Sequence, residues 1–139
     1  MQFRVWFENA ISAQEVMALV QQSPNLSRLT PEQRPNWAAK WGITGEFRRV
    51  TLSALKLADL VDKHRRLRIN VNMNADTVAN KQQSGQRNTI VITRLPSPMA
   101  GCDYQVVDGN HSLVAAARNA MKTGIDEQLP AIVPADWSF

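Results

Sequence analysis

Five consecutive residues, Asp108-Gly109-Asn110-His111-Ser112, group a carboxylate, an amide, an imidazole and a hydroxyl around one glycine. Gln105 to Val107 before them reads as the end of a strand, and Leu113 to Lys122 after them, alanine-rich, reads as a helix. Gly124 then stands where a helix C-cap belongs. The spacing therefore predicts strand, tight turn and helix, with Asn110 or Ser112 as the cap. A helix N-terminus presents unpaired N–H groups and a partial positive charge, which suit a phosphate. His111 can donate to that phosphate or act as acid or base near neutral pH; equally, it can bond nearby backbone and stabilise the turn. Asp108 can hold a metal ion that bridges phosphates. Asp before Gly more often bonds its own backbone, and the turn role is preferred. Gly109 supplies a positive φ or a close backbone approach. Asn110 contacts a ligand or forms the turn.

The elements that must position this turn are legible in the flanking pattern. Thr89 to Arg94 is a β-branched strand, Pro96 to Gly101 a loop, and Cys102 to Val107 the hairpin partner. Upstream, Gln2 to Phe7 alternates polar and apolar residues like a short strand. Ser12 and Glu15 form a capping box for a helix over 12–22, ended by Ser23-Pro24. Thr30 to Gln33 can open a helical turn. Trp37 to Trp41 is a short helix stopped by Gly42, with both indoles on one face packing the N-terminal segment onto the domain. Phe47 to Leu52 is a strand with Val50 and Leu52 inward, continued by a short helix from Ser53. Ala75 to Gln83 is a polar helix, and Leu129 to Pro134 a short closing strand. The mixture is α+β with a small, partly antiparallel sheet.

The totals set bounds. A chain of 139 residues with 44% hydrophobic and 20% charged content folds as one domain with a real core. Its net charge of +4 is compatible with a nucleotide or nucleic-acid partner, and equally with a solvated Arg-rich surface. The densest basic cluster is Lys63, Arg65, Arg66 and Arg68, around His64. It either tracks a nucleic-acid backbone or forms a charged solvated face. The single cysteine, Cys102, excludes an internal disulfide and a cysteine-based zinc cluster, which fits a cytoplasmic setting. His64 has no metal-ligand spacing, and no metal site is read. No segment has the length of a signal-peptide core or a membrane span, so no membrane partner is expected.

Four blocks in order resemble the ParB/sulfiredoxin-like domain, also called the ParB-like nuclease domain, over about residues 48–134. They are Val50-Thr-Leu-Ser-Ala-Leu55, Gly85-Gln-Arg-Asn-Thr-Ile-Val-Ile92, Val107-Asp-Gly-Asn-His-Ser-Leu-Val-Ala-Ala116 and Leu129-Pro-Ala-Ile-Val133. The resemblance implies a small mixed sheet with flanking helices over 46–139; residues 1–45 lie outside the matched blocks and read as a helical N-terminal extension packed on that domain. It also implies a nucleotide site in which Gly109, Asn110, His111 and Ser112 cradle phosphate while Gln86, Arg87 and Asn88 contact base or ribose. A nucleoside triphosphate and Mg²⁺ are the cofactors it brings.

Two positions depart from the pattern. Ser112 replaces the family's Arg, so the fixed positive fork for a phosphate is missing there, though a hydroxyl remains. Thr89 replaces a proline. Asn110 occupies the position of the sulfiredoxin cysteine, and Cys102 lies on or before the preceding strand, away from the helix N-terminus, so sulfinic-acid chemistry is not expected. The leading reading is a ParB-like domain of the plasmid and phage type that binds nucleotide phosphate or DNA. In its nuclease form, inherited from the resemblance, His111 and Asp108 are catalytic, with Ser112 on the phosphate, and the basic cluster holds the polymer. One alternative is a non-enzymatic protein-binding inhibitor or regulator of this fold. Another is a nucleotide-dependent small-molecule kinase, for which Glu46 and Asp59 are the available bases.

Overall fold

The computed structural model describes residues 9–22, 29–69, 74–99 and 101–139. In chain order the elements are β1 (Ala10–Ser12), α1 (Ala13–Val20), α2 (Arg34–Lys40), β2 (Glu46–Ser53), α3 (Ala54–Asp62) and β3 (Leu67–Arg68). They continue with α4 (Ala75–Ser84), β4 (Ile90–Met99), β5 (Cys102–Asp108), α5 (Asn110–Thr123) and β6 (Gln128–Pro134). The architecture is α+β, with one six-stranded mixed sheet of order β1-β2-β6-β4-β5-β3. The pairs β1–β2, β2–β6 and β4–β5 are antiparallel, while β4–β6 and β3–β5 are parallel.

Adjacent residues on the strands point to opposite faces, and both faces are buried. On one, Ile90, Ile92, Val106 and Leu129 pack against Leu57 and Leu60 of α3 and Leu113 and Ala116 of α5. On the other, Phe47, Val91 and Ile132 pack against Val16, Met17 and Val20 of α1. The uninterrupted apolar run Ile90-Val91-Ile92 thus serves two cores at once. Val50 and Leu52 lie half-buried against the α3–α5 side, while Phe47 faces α1.

Local chemistry sets several boundaries. Ser12 Oγ accepts the Glu15 N–H at 3.1 Å and donates to Glu15 Oε1 at 3.2 Å, so Ser12 caps α1 as expected, and the helix ends at Val20. Helix α2 starts at Arg34 rather than near Trp37. Thr30 and Gln33 exchange reciprocal bonds, Thr30 N–H to Gln33 Oε1 at 3.0 Å and Gln33 N–H to Thr30 Oγ1 at 3.4 Å, and Pro35 falls in the first turn. The indoles of Trp37 and Trp41 lie 5.7 Å apart, with Trp37 packed on the α1-side core. The strand expected over 2–7 and the stop at Ser23-Pro24 lie outside the described residues.

One expectation about the sheet is corrected. Strand β4 continues to Met99, which pairs with Cys102 after a register shift beyond Arg94, where a loop over 96–101 was expected. The closing strand expected over 129–134 is present as β6, and it lies inside the sheet between β2 and β4. A proline cannot donate to a ladder. Pro130 and Pro134 both fall outside the stretch Ala131–Ile132 that pairs with β4.

Candidate functional site

The turn is a junction between β5 and α5. Gly109 bridges them at φ +87°, and a Cβ there would stand 2.7 Å from the Thr89 carbonyl oxygen. Only glycine allows β4 to press this closely on the turn. Asp108 Oδ1 accepts the Gly109 N–H at 3.0 Å, the local bond expected of an Asp-Gly turn. The expected helix start needs correction: α5 begins at Asn110, its cap is Gly109, and no side chain caps it. Asn110 is buried and donates from Nδ2 to the Val106 carbonyl at 3.3 Å. Ser112 is 0% exposed and its Oγ accepts the Asn88 N–H at 2.8 Å. Its hydroxyl therefore points into the protein and fastens the helix to the 85–89 loop. His111 is half-buried, and its Nε2 accepts the Asn74 N–H at 3.1 Å. Asn74 in turn caps α4 through its bond from the Thr77 N–H, also 3.1 Å.

In the neighbouring loop, Gln86 is exposed and its backbone N–H is held by Ser84 Oγ at 3.2 Å. The Arg87 side chain is 10% exposed and forks onto Glu127, with Nε at 2.6 Å and Nη2 at 3.2 Å from the carboxylate oxygens. Its Nη1 donates to the carbonyls of Lys81 and Gln86 at 2.6 and 2.8 Å. This guanidinium staples α4 and the loop to the start of β6. Asn88, by contrast, is exposed.

Asp108 and Asn88 meet in a cavity of about 370 Å³ whose other walls include Thr89, Leu19, Val91 and Ile132. The same cavity receives Arg49 from β2, which the sequence reading did not single out. Arg49 is exposed and has no ion-pair or hydrogen-bond partner among the described residues. The available signal was strand alternation: a residue preceding the inward Val50 belongs on the opposite face. Burial pushes the Asp108 carboxyl above its ordinary pKa, against the smaller opposing effects of the Gly109 N–H and the Lys81 ammonium. The cavity thus combines a cationic side chain without a partner among the described residues, an amide and a carboxyl whose neutral form is favoured relative to water, above an apolar floor.

The basic cluster is not brought to this turn. Leu67 pairs with Tyr104, so residues 63–66 lie beside the start of β5, whereas Asp108 ends it. Four residues of strand separate the two by roughly 13 Å. Lys63 pairs with Asp59 at 3.5 Å, and Arg66 with Asp103 at 2.7 Å. Arg65 and Arg68 are exposed. Cys102 is half-buried, its Sγ 3.4 Å from the Tyr104 carbonyl oxygen. Among the described residues no three His, Cys, Asp or Glu side chains gather as potential metal ligands, and no helix is long and apolar enough to cross a membrane.

No family model matches the chain, and comparisons with curated proteins and with solved structures give no match.

Proposed function

We propose that the protein binds a phosphate-bearing ligand, a nucleotide or a nucleotide unit of a nucleic acid, in the cavity beside the β5–α5 turn. One observation carries this reading: Arg49, which has no ion-pair or hydrogen-bond partner among the described residues, lines a cavity together with Asp108 and Asn88. A guanidinium presents a rigid fork of donors matched to phosphate oxygens. Arg49 thereby supplies the kind of group that is missing at Ser112. The Asn88 amide adds donor and acceptor capacity. A volume near 370 Å³ lies at the small end of ligand pockets, suited to one nucleotide unit. The ordered blocks that resemble the ParB/sulfiredoxin-like domain support the same class of ligand. In this reading His111, Ser112 and Arg87 hold the framework of the site, and nothing is routed through a protein-bound metal.

The test is a thermal-shift panel of ribonucleotides, deoxyribonucleotides and short DNA, with and without Mg²⁺, on wild type and Arg49→Ala. A ligand at a hundred times its Kd adds about 2.7 kcal/mol of stability. A shift present in wild type and lost in Arg49→Ala is the expected result. No shift with any probe, or an equal shift in the variant, would overturn the reading.

A further inference from the structure

A second surface lies on the other side of the molecule's larger core, between α3 and α5. Val114, Arg118 and Met121 follow one another along α5 at spacings of four and three, and Ile125 comes four residues later, just past the helix end. This is the spacing of a helix stripe that packs against another helix. Met121 is 60% and Ile125 74% exposed, and they are the exposed large apolar side chains among the described residues. The stripe borders a groove of about 240 Å³ floored by Val61, Ile69, Leu113 and Ala117. The groove carries one charge of each sign, Asp62 from the end of α3 and Arg118 from α5. Both are exposed, and neither has an ion-pair partner among the described residues.

We propose that this groove is the contact face of a symmetric homodimer, in which a second copy lays its α5 stripe against the first. A two-fold contact is self-complementary: whatever residue i meets on the partner, the partner's residue i meets in return. A groove with one acid and one base satisfies that condition without any other molecule. Arg118 of each copy faces Asp62 of the other, giving two identical pairs flanking an apolar strip. A partner carrying a single sign of charge would satisfy only one of the two groups and oppose the other. Val114, Arg118, Met121 and Asp62 all line the one groove.

The experiment is sedimentation velocity over a concentration series for wild type, Arg118→Asp, Asp62→Arg and an equimolar mixture of the two variants. Both positions are exposed, so the variants are expected to fold, and circular dichroism checks this. Wild type should show a concentration-dependent dimer. Each single variant places like charges together twice, and its dimer constant should weaken about tenfold or more. In the mixture, one chain presents two acids and the other two bases, so a mixed dimer should form with affinity near that of wild type. A wild type that stays monomeric throughout, single variants that dimerise unchanged, or a mixture that shows no mixed dimer would each overturn the proposal.

Discussion

The Ser112 hydroxyl sits 2.8 Å from the backbone nitrogen of Asn88, and this bond ties the first turn of α5 to the loop entering β4. The side chain at position 112 has no exposed surface, so an arginine placed there would have to bury its charge or displace the loop. The serine is thus the residue that this packing requires, and the cationic group at the cavity comes from β2 instead.

Ser112→Ala should lower stability by about 1–3 kcal/mol, because it leaves the Asn88 N–H without its acceptor. Ser112→Arg, which restores the residue type of the resembled pattern, should cost more, about 3 kcal/mol or above, through overpacking and a buried charge. Urea unfolding of both variants measures this. A Ser112→Arg protein as stable as wild type would contradict the buried placement.

Gly109→Ala should be costlier than an ordinary surface change. It forces a side chain into a positive-φ backbone and sets a Cβ within 2.7 Å of the Thr89 carbonyl oxygen. A loss of at least about 2 kcal/mol is expected from conformation and contact together. Thermal unfolding with calorimetry provides the number, and a loss under about 0.5 kcal/mol would show that the turn relaxes freely.

Arg87→Met keeps the aliphatic stem and removes the fork to Glu127 and to two backbone carbonyls. The expected cost is about 2–3 kcal/mol. If Arg87 serves the framework rather than the ligand, weakened binding in this variant should recover at temperatures low enough to restore its folded fraction. A ligand Kd raised tenfold in a fully folded Arg87→Met protein would instead make Arg87 a ligand contact.

Acid titration should separate two carboxyls of opposite behaviour. Burial raises the Asp108 carboxyl above its unfolded value, so the folded state binds that proton more tightly than the unfolded chain does. Its contribution to stability is greatest below about pH 3.9 and declines as pH rises through the folded value. Asp108→Asn keeps an acceptor for the Gly109 N–H, so it should be more stable than wild type near pH 7, with the gap closing below about pH 4. Asp126 runs the other way. The Ser53 hydroxyl, with the Leu55 and Glu127 N–H groups, lowers its pKa. Its stabilisation is present above about pH 3.9 and is lost as pH falls through the folded value, so Asp126→Asn should flatten the acid limb. Urea unfolding at steps between about pH 3 and pH 7 distinguishes the two.

Much of the architecture was legible because it rests on local rules. The Ser12 cap on α1, the β-branched run at 90–92 and the Asp108-Gly109 turn each follow from neighbours a few residues apart. What escaped was set by distant packing. Strands β1 and β3 span three and two residues, too few to show an alternation. The central position of β6 depends on how its two prolines align with β2 and β4. The start of α5 was misread because Asn110 and Ser112 are good caps by type, while Gly109 takes the cap position and their polar atoms bond elsewhere. Arg49 carried no motif, and its relation to Asp108 exists only once β2 and β5 share a sheet.

Leu19 and Gln22 wall the cavity from the N-terminal side, while Val16, Met17 and Val20 seat the same helix on the sheet. Occupancy of the cavity and docking of α1 are therefore linked equilibria. Linkage then requires that a molecule gaining affinity from those walls shifts the local opening equilibrium of α1 toward the docked state. Amide hydrogen exchange in this helix becomes a reporter of occupancy that needs no knowledge of any reaction, and a loosened α1 becomes a means of tuning affinity from outside the cluster of polar groups.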